Sequence, residues 1–122
     1  MAFNHSWQAV CKPGWGDDFF MHSRPLRFET DAEGFNPVNA WWLSELSRLI
    51  YRKDASEGVD VSGRATRADF LSRVGLVETA FFFGPIVRAA IIETRSTGED
   101  AFAALVFRGT NGRLSNWMVN ID

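Results

Sequence analysis

The distribution of apolar positions divides the chain into three regions. Residues 1–35 carry scattered aromatic residues between prolines and glycines, which predicts an irregular arm whose rings pack on the rest of the domain. From residue 36 onward the apolar positions recur at helical spacing. From residue 76 they form short runs bounded by turn residues, and such runs are typical of strands. The pattern therefore predicts an N-terminal arm at 1–35 and an α/β unit at 36–122.

The segment NPVNAWWLSELSRLIYR, residues 36–52, is the clearest helix signal in the chain. Asn36 suits the N-cap and Pro37 suits the first helical position. One face of this helix is apolar and consists of Val38, Trp42, Leu46, Leu49 and Ile50. A second, shorter helix is predicted after a polar loop, because Thr66 and Asp69 have the spacing of a capping box. Gly75 is then expected to end it.

The last third of the chain contains three apolar runs at Leu76–Phe83, Arg88–Thr94 and Ala101–Phe107. Their Ile, Val, Phe and Ala content favours strands that are buried on at least one face. The second and third runs are separated by turn residues, so we expect them to pair as an antiparallel hairpin under the long helix. Residues Ser115–Ile121 are predicted to form a short helix.

Composition excludes several classes of function. The net charge of −2 gives no electrostatic reason to expect a nucleic-acid partner. The single cysteine, Cys11, cannot form an intrachain disulfide or a site of several thiolates. No metal or other cofactor is predicted, and the adjacent Asp17 and Asp18 fit a solvated turn better than a metal pair. With neither a signal-peptide pattern nor an apolar run of membrane-spanning length, the expected location is cytoplasmic.

The end of the chain, ALVFRGTNGRLSNWMVNID, joins an apolar strand to a turn at Arg108-Gly109-Thr110. Together with the preceding helix, the run GLVETAFFF and the hairpin, this order resembles the N-terminal portion of a class 3 lipase. This is the fungal-type lipase family of the α/β-hydrolase superfamily, and the resemblance covers Phe35–Asp122. It implies an incomplete α/β-hydrolase-like fold with N-terminal helices and a small mixed sheet that contains an antiparallel hairpin.

The resemblance also implies roles for particular residues. The backbone N–H of Thr110 is expected to contribute to the oxyanion hole, because in α/β-hydrolases one donor follows the third strand. Each fixed donor of this kind is worth about 10²–10³ in rate. The following stretch is expected to be lid-like and to contact substrate. Its apolar residues are Leu114, Trp117, Met118 and Ile121.

The rest of a serine hydrolase is not found in this sequence. No serine lies in a Gly-x-Ser-x-Gly frame, and His5 and His22 precede every predicted element. We therefore expect a protein that lacks the nucleophile half and is inactive alone, and that meets an ester or lipid substrate when a C-terminal half completes it. Self-association through an exposed sheet edge and contact with a lipid interface are also expected. The alternative is a non-catalytic α+β module, in which the aromatic arm and the Trp117 segment form a binding surface.

Overall fold

The long helix begins where its capping residue predicts. In the computed structural model, which describes residues 14, 16–21, 26–54, 57 and 62–108, helix α1 spans Pro37–Leu49. The side chain of Asn36 accepts hydrogen bonds from the N–H groups of Val38 and Asn39 at 2.9 and 3.1 Å. These bonds satisfy two of the donors that the first helical turn leaves free. The predicted helix is confirmed, although it ends three residues before Arg52.

The second helix, α2, spans Arg67–Arg73 and is held by the predicted capping box. The Thr66 N–H donates to Asp69 Oδ2 at 2.7 Å, and the Asp69 N–H donates to Thr66 Oγ1 at 3.2 Å. Hydrogen bonds from the backbone N–H and the side chain of Thr66 to the Asp69 carboxyl hold its pKa below the usual range. Gly75 follows the helix with a φ of 75°, a conformation that glycine adopts readily, and the chain then enters the sheet.

Three strands, β1 (Leu76–Phe83), β2 (Arg88–Thr94) and β3 (Ala103–Arg108), form a sheet in the order β1-β2-β3. The predicted hairpin of β2 and β3 is confirmed. Both pairings are antiparallel, whereas a mixed sheet was the expectation. The described residues therefore show a mixed α/β arrangement of two helices and a small antiparallel sheet. The register of β1 shifts between Glu78 and Ala80, which is a β-bulge.

The core lies between the two helices and one face of the sheet, here called the inner face. Helix α1 packs against β3, and α2 packs against β1. The inner face contributes four buried residues from β2 and β3, namely Ala90, Ile92, Ala104 and Val106. Opposite them the helices bury Trp42, Leu46, Leu49, Phe70 and Leu71. Among the residues that the structure describes, no helix is long and apolar enough to cross a membrane.

The aromatic arm contributes to this core. Phe19 and Phe20 are buried, and the Phe19 ring meets the Phe70 ring edge-on at 4.9 Å. Further along, Phe28 stacks on Phe102 with ring centroids 4.2 Å apart. At Gly14 the arm passes close to the residues that follow α1. A Cβ atom on Gly14 would lie only 2.5 Å from backbone atoms of Tyr51 and Arg52. A residue with a side chain would not fit at this crossing.

Ion pairs fasten the arm to α1. Arg48 contacts Asp18 at 2.8 Å and Glu45 at 2.9 Å, and its guanidinium lies 4.2 Å from the Phe19 ring centroid. The hydrogen bond from Arg48 lowers the pKa of the Asp18 carboxyl. Because ionised Asp18 is favoured in the folded protein, this contact stabilises the fold at neutral pH.

Arg67, the first residue of α2, makes the most deeply buried ionic contacts. Its side chain is fully buried, and its Nε and Nη2 donate to the two carboxylate oxygens of Glu78 on β1 at 2.8 and 3.1 Å. Its Nη1 donates to the carbonyl oxygen of Arg52 at 2.7 Å and to Glu57 Oε2 at 3.1 Å. Burial lowers the pKa of Arg67, but the bonds to Glu78 and Glu57 outweigh burial and raise it. The guanidinium therefore stays charged and joins α2, β1 and the segment that follows α1.

Replacing Arg67 by Met should destabilise the protein by about 3–5 kcal/mol, since it leaves Glu78 and Glu57 without their buried donor. That loss is a large part of the about 5–15 kcal/mol typical of a small domain. Urea unfolding followed by circular dichroism measures it. The matched control is Arg73→Met at the exposed end of the same helix, which should cost no more than about 1 kcal/mol.

The double variant Arg67→Met/Glu78→Met tests the pairing itself. It should lose less free energy of unfolding than the sum of the two single variants, because the second change removes the carboxylate that the first left unpaired. Strictly additive losses would show that the two side chains do not interact.

Asp18→Asn should lower the free energy of unfolding at neutral pH by up to about 1 kcal/mol, the size expected of a half-exposed pair. The pKa of Asp18 is lowered by folding, so this contribution is present above the unfolded pKa. It disappears as the pH falls through the lower folded pKa. Thermal unfolding at a series of pH values should therefore show the two proteins converging in acid. Asp31→Asn, at an exposed position, is the control, and a constant difference down to strong acid would contradict the assignment.

Candidate functional site

The residues that the sequence assigns to catalysis and substrate binding follow β3 directly. Strand β3 ends at Arg108, which is also the last residue that the structure describes. Thr110 and the lid-like set lie outside the described residues, so their roles stay predictions; that set is Leu114, Trp117, Met118 and Ile121. The same holds for Cys11 and the two histidines, His5 and His22.

Arg108 connects the end of β3 to the segment between α1 and α2. Its side chain is 12% exposed, and its Nη1 lies 3.6 Å from Glu57 Oε1. Its guanidinium also lies 5.5 Å from the centroid of the Tyr51 ring. Glu57 uses its other oxygen to accept from Arg67 at 3.1 Å. Two arginines thus share one nearly buried carboxylate, which fixes the strand end immediately before Gly109.

A row of three residues crosses the sheet at this end. Phe83 on β1 lies opposite Arg88 on β2, and Arg88 lies opposite Arg108 on β3. The Arg88 guanidinium is 3.9 Å from the Phe83 ring centroid, and its Nη1 donates to the carbonyl oxygen of Gly84 at 2.9 Å. Sequence analysis did not single out this row. The third run was predicted to end at Phe107, and a hairpin with those bounds puts Phe107 opposite Arg88, whereas the observed register pairs Arg88 with Arg108.

The face of the sheet away from the helices, here called the outer face, is apolar as well. One row on it runs Phe82, Ala89, Phe107 across the strands. The next row runs Ala80, Ile91, Leu105. Phe82, Leu105 and Phe107 expose 53, 59 and 60% of their surfaces. Strands that are apolar on both faces are typical of sheets covered by layers on both sides, and large exposed apolar patches mark interaction sites.

The acidic pair of the arm, Asp17 and Asp18, contacts arginines. Asp18 pairs with Arg48 at 2.8 Å, and Asp17 pairs with Arg52. Within residues 14–108 as far as they are described, no group of three His, Cys, Asp or Glu residues could hold a metal ion. The pair is also more than a solvated turn, since both carboxylates bind arginines. Arg52 is not among the residues of the predicted apolar face, yet it is only 5% exposed.

No protein-family model matches the chain, and neither a curated protein nor a solved structure shows significant similarity to it. Function must therefore be inferred from the residues and their geometry.

Proposed function

We propose that this chain forms the oxyanion and lid portion of a carboxylic ester hydrolase of the class 3 lipase type. The observation that carries the proposal is the order of elements, in which a long helix, a short helix and a strand precede the β2–β3 hairpin. The last strand ends at Arg108, so Gly109 and Thr110 directly follow a strand in the sequence, as the proposed role requires. Its substrates are carboxylic esters or triacylglycerols, which places the protein in lipid metabolism.

The two apolar faces of the sheet support an α/β-hydrolase-like fold for the complete protein. In such folds the central sheet is covered by helices on both faces. Here α1 and α2 cover the inner face, while Phe82, Leu105 and Phe107 remain exposed on the outer face. A second layer of helices, contributed by the nucleophile half, would cover these side chains.

The chemistry assigned to this portion is electrostatic. Attack on an ester carbonyl places negative charge on its oxygen, and a fixed backbone N–H stabilises that charge without reorganising. The Thr110 N–H is the proposed donor. Its usefulness depends on a rigid strand end, and the contacts of Arg108 with Glu57 and Tyr51 supply one. Nucleophile, base and second donor belong to the other half.

The test combines this chain with a polypeptide that supplies the Gly-x-Ser-x-Gly half of a class 3 lipase. Thr110→Pro removes the N–H and should lower kcat of the mixture by about 10²–10³, with a smaller change in KM. Thr110→Ala keeps the N–H and should cost much less. Hydrolysis of a short-chain nitrophenyl ester gives the rates, and Thr97→Ala in the exposed β2–β3 turn is the neutral control.

Two outcomes would count against this proposal. If an active mixture tolerates Thr110→Pro as well as Thr97→Ala, the oxyanion assignment is wrong. Alone, the chain should hydrolyse the ester at the buffer rate, and a fluorophosphonate probe should leave its serines unlabelled. Labelling of any serine would mean that the chain carries its own nucleophile.

The exposed outer face also favours a second candidate, a non-catalytic α+β binding module. Apolar side chains on this face, on an edge strand such as β3, can bind another chain instead of a catalytic half. In either case we propose that the isolated chain self-associates at the β3 edge, where Leu105 and Phe107 are exposed on a strand that, among the described residues, pairs on one side only.

Phe107→Lys should reduce this self-association, because a lysine on an edge strand opposes pairing with another strand. Sedimentation velocity across a wide range of protein concentration should show the mass of the unchanged chain rising with concentration, and the variant should remain smaller. Phe35→Lys is the matched control, since Phe35 is 86% exposed but lies outside the sheet. Self-association through the β3 edge would be excluded if the unchanged chain stays monomeric at every concentration. It would also be excluded if Phe107→Lys and Phe35→Lys reduce self-association equally.

A further inference from the structure

We propose that the end of the β1–β2 hairpin binds lipid, and that it enters the surface of a bilayer that contains anionic headgroups. This part of the molecule, here called the hairpin tip, consists of residues 83–87, and Arg88 lies at its base. The proposal is independent of the proposed hydrolase function, because a non-catalytic binding module could use the same contact.

The first argument is the exposure of apolar side chains at the hairpin tip. Phe83, Ile86 and Val87 expose 59, 38 and 50% of their surfaces. Pro85 is exposed as well. By contrast, Phe81, which precedes Phe83 on the same side of β1, packs against the core. The hairpin tip thus keeps in water an apolar surface that contact with another apolar phase would bury, and such patches mark interaction sites.

The second argument concerns the kind of partner that this surface fits. No side chain of residues 80–87 can donate or accept a hydrogen bond. Interfaces between proteins typically carry about one hydrogen bond per 100–200 Å². A continuous segment without any hydrogen-bonding side chain therefore fits lipid hydrocarbon better than it fits the surface of another protein.

The third argument is that the hairpin tip satisfies backbone groups internally. The Gly84 N–H donates to the Val87 carbonyl at 3.0 Å, and the Gly84 carbonyl accepts from Arg88 Nη1 at 2.9 Å. Pro85 has no N–H to satisfy. Because lipid hydrocarbon offers no hydrogen-bond partner to the backbone, these bonds lower the cost of moving the turn out of water.

The fourth argument is the charge at the base of the hairpin tip. Between Glu78 and Glu93, Arg88 is the only charged residue. Its guanidinium lies 3.9 Å from the Phe83 ring centroid. Among the described residues, its side chain contacts this ring and the Gly84 carbonyl but no carboxylate. A basic side chain beside an inserted apolar segment places its charge among the lipid phosphates, so anionic headgroups should strengthen binding.

The hairpin tip lies at the end of the sheet where β3 also ends, because Arg88 and Arg108 are paired residues. Gly109 and Thr110 follow Arg108 in the sequence. If the hydrolase proposal is correct, binding through the hairpin tip would therefore bring the end of β3 to a lipid substrate.

The first experiment measures binding of the full chain to vesicles without ester hydrolysis, so its failure would leave the hydrolase proposal untouched. Vesicles of phosphatidylcholine, with or without phosphatidylserine, are mixed with the protein and floated on a density gradient. We expect the chain to float with the vesicles that contain phosphatidylserine, and to float less with phosphatidylcholine alone. Sedimentation velocity without vesicles reports the self-association of each variant.

Ile86→Gln should weaken vesicle binding about tenfold or more, because it removes a large apolar side chain from the inserted surface. Leu43→Gln is the matched control, since Leu43 is an apolar residue of similar exposure on α1. This variant should bind vesicles as the unchanged chain does.

Arg88→Gln tests the contribution of the charge. It should weaken binding to the vesicles that contain phosphatidylserine about fivefold, the effect expected of one basic residue near an anionic bilayer. Arg88→Lys keeps the charge and should keep most of the affinity. Arg73→Gln, at an exposed position of α2, is the control. Should Arg88→Gln fail to fold, Arg88→Lys and Ile86→Gln decide.

A fluorescent label distinguishes insertion from adsorption. The variant Cys11→Ser/Val87→Cys carries an environment-sensitive NBD group at the hairpin tip, and its emission should rise when vesicles are added. In the variant Cys11→Ser/Ser96→Cys the same group lies in the exposed turn at the other end of β2. Its emission should stay constant.

Three results would overturn the lipid-binding tip. The first is the absence of binding to both kinds of vesicle. In that case, a loss of self-association in Ile86→Gln would assign the hairpin tip to contact with a second copy of the chain. The second is an equal loss of vesicle binding in Ile86→Gln and Leu43→Gln. The third is constant NBD emission at position 87 while the protein floats with the vesicles.

Discussion

The buried contacts of Arg67 are the constraint on which the arrangement of the described elements depends. A fully buried guanidinium must have nearly all its donors satisfied, because an unpaired buried charge costs several kcal/mol. Arg67 meets this demand with atoms from three separate segments, Glu78 on β1, Glu57 and the carbonyl of Arg52. None of these segments can move without leaving a charge unsatisfied. The need to satisfy the Arg67 donors therefore determines where α2 packs on the sheet beside β1.

The same constraint extends to the candidate site. Glu57 bonds to Arg67 with one oxygen and faces Arg108 with the other, so the end of β3 is held by the group that holds α2. A turn that is to present backbone donors needs a strand end that does not shift, because a fixed donor stabilises developing charge without reorganising. The buried ionic contacts thus connect the packing of α2 to the end of β3, the residue before Gly109 and Thr110.

Local signals in the sequence predicted most of the secondary structure. The cap at Asn36, the capping box of Thr66 and Asp69 and the three apolar runs all correspond to observed elements. These features act between near neighbours, so their spacing along the chain is sufficient to recognise them. The burial of Arg52 and the pairing of Arg48 with Asp18 could not be foreseen, because the partner lies some thirty positions away and charged residues are mostly exposed.

For a related reason, the sequence predicted one part of the candidate site and missed another. The oxyanion turn came from a resemblance in the order of motifs, and its residues follow the last one that the structure describes. The row of Phe83, Arg88 and Arg108 appears only when strand register is known, because composition does not show which residues lie opposite each other.

The β-bulge in β1 determines which phenylalanines face the helices. Strict alternation from Leu76 would place Phe82 inward and Phe81 outward. The extra residue at the bulge, Thr79, reverses this phase, so Phe81 lies under Arg67 while Phe82 is exposed on the outer face. The strand therefore has one position at which its length can change without exchanging its two sides. Loss of Thr79 would restore a regular strand with the same sidedness, whereas loss of a residue elsewhere in β1 would turn part of the strand inside out.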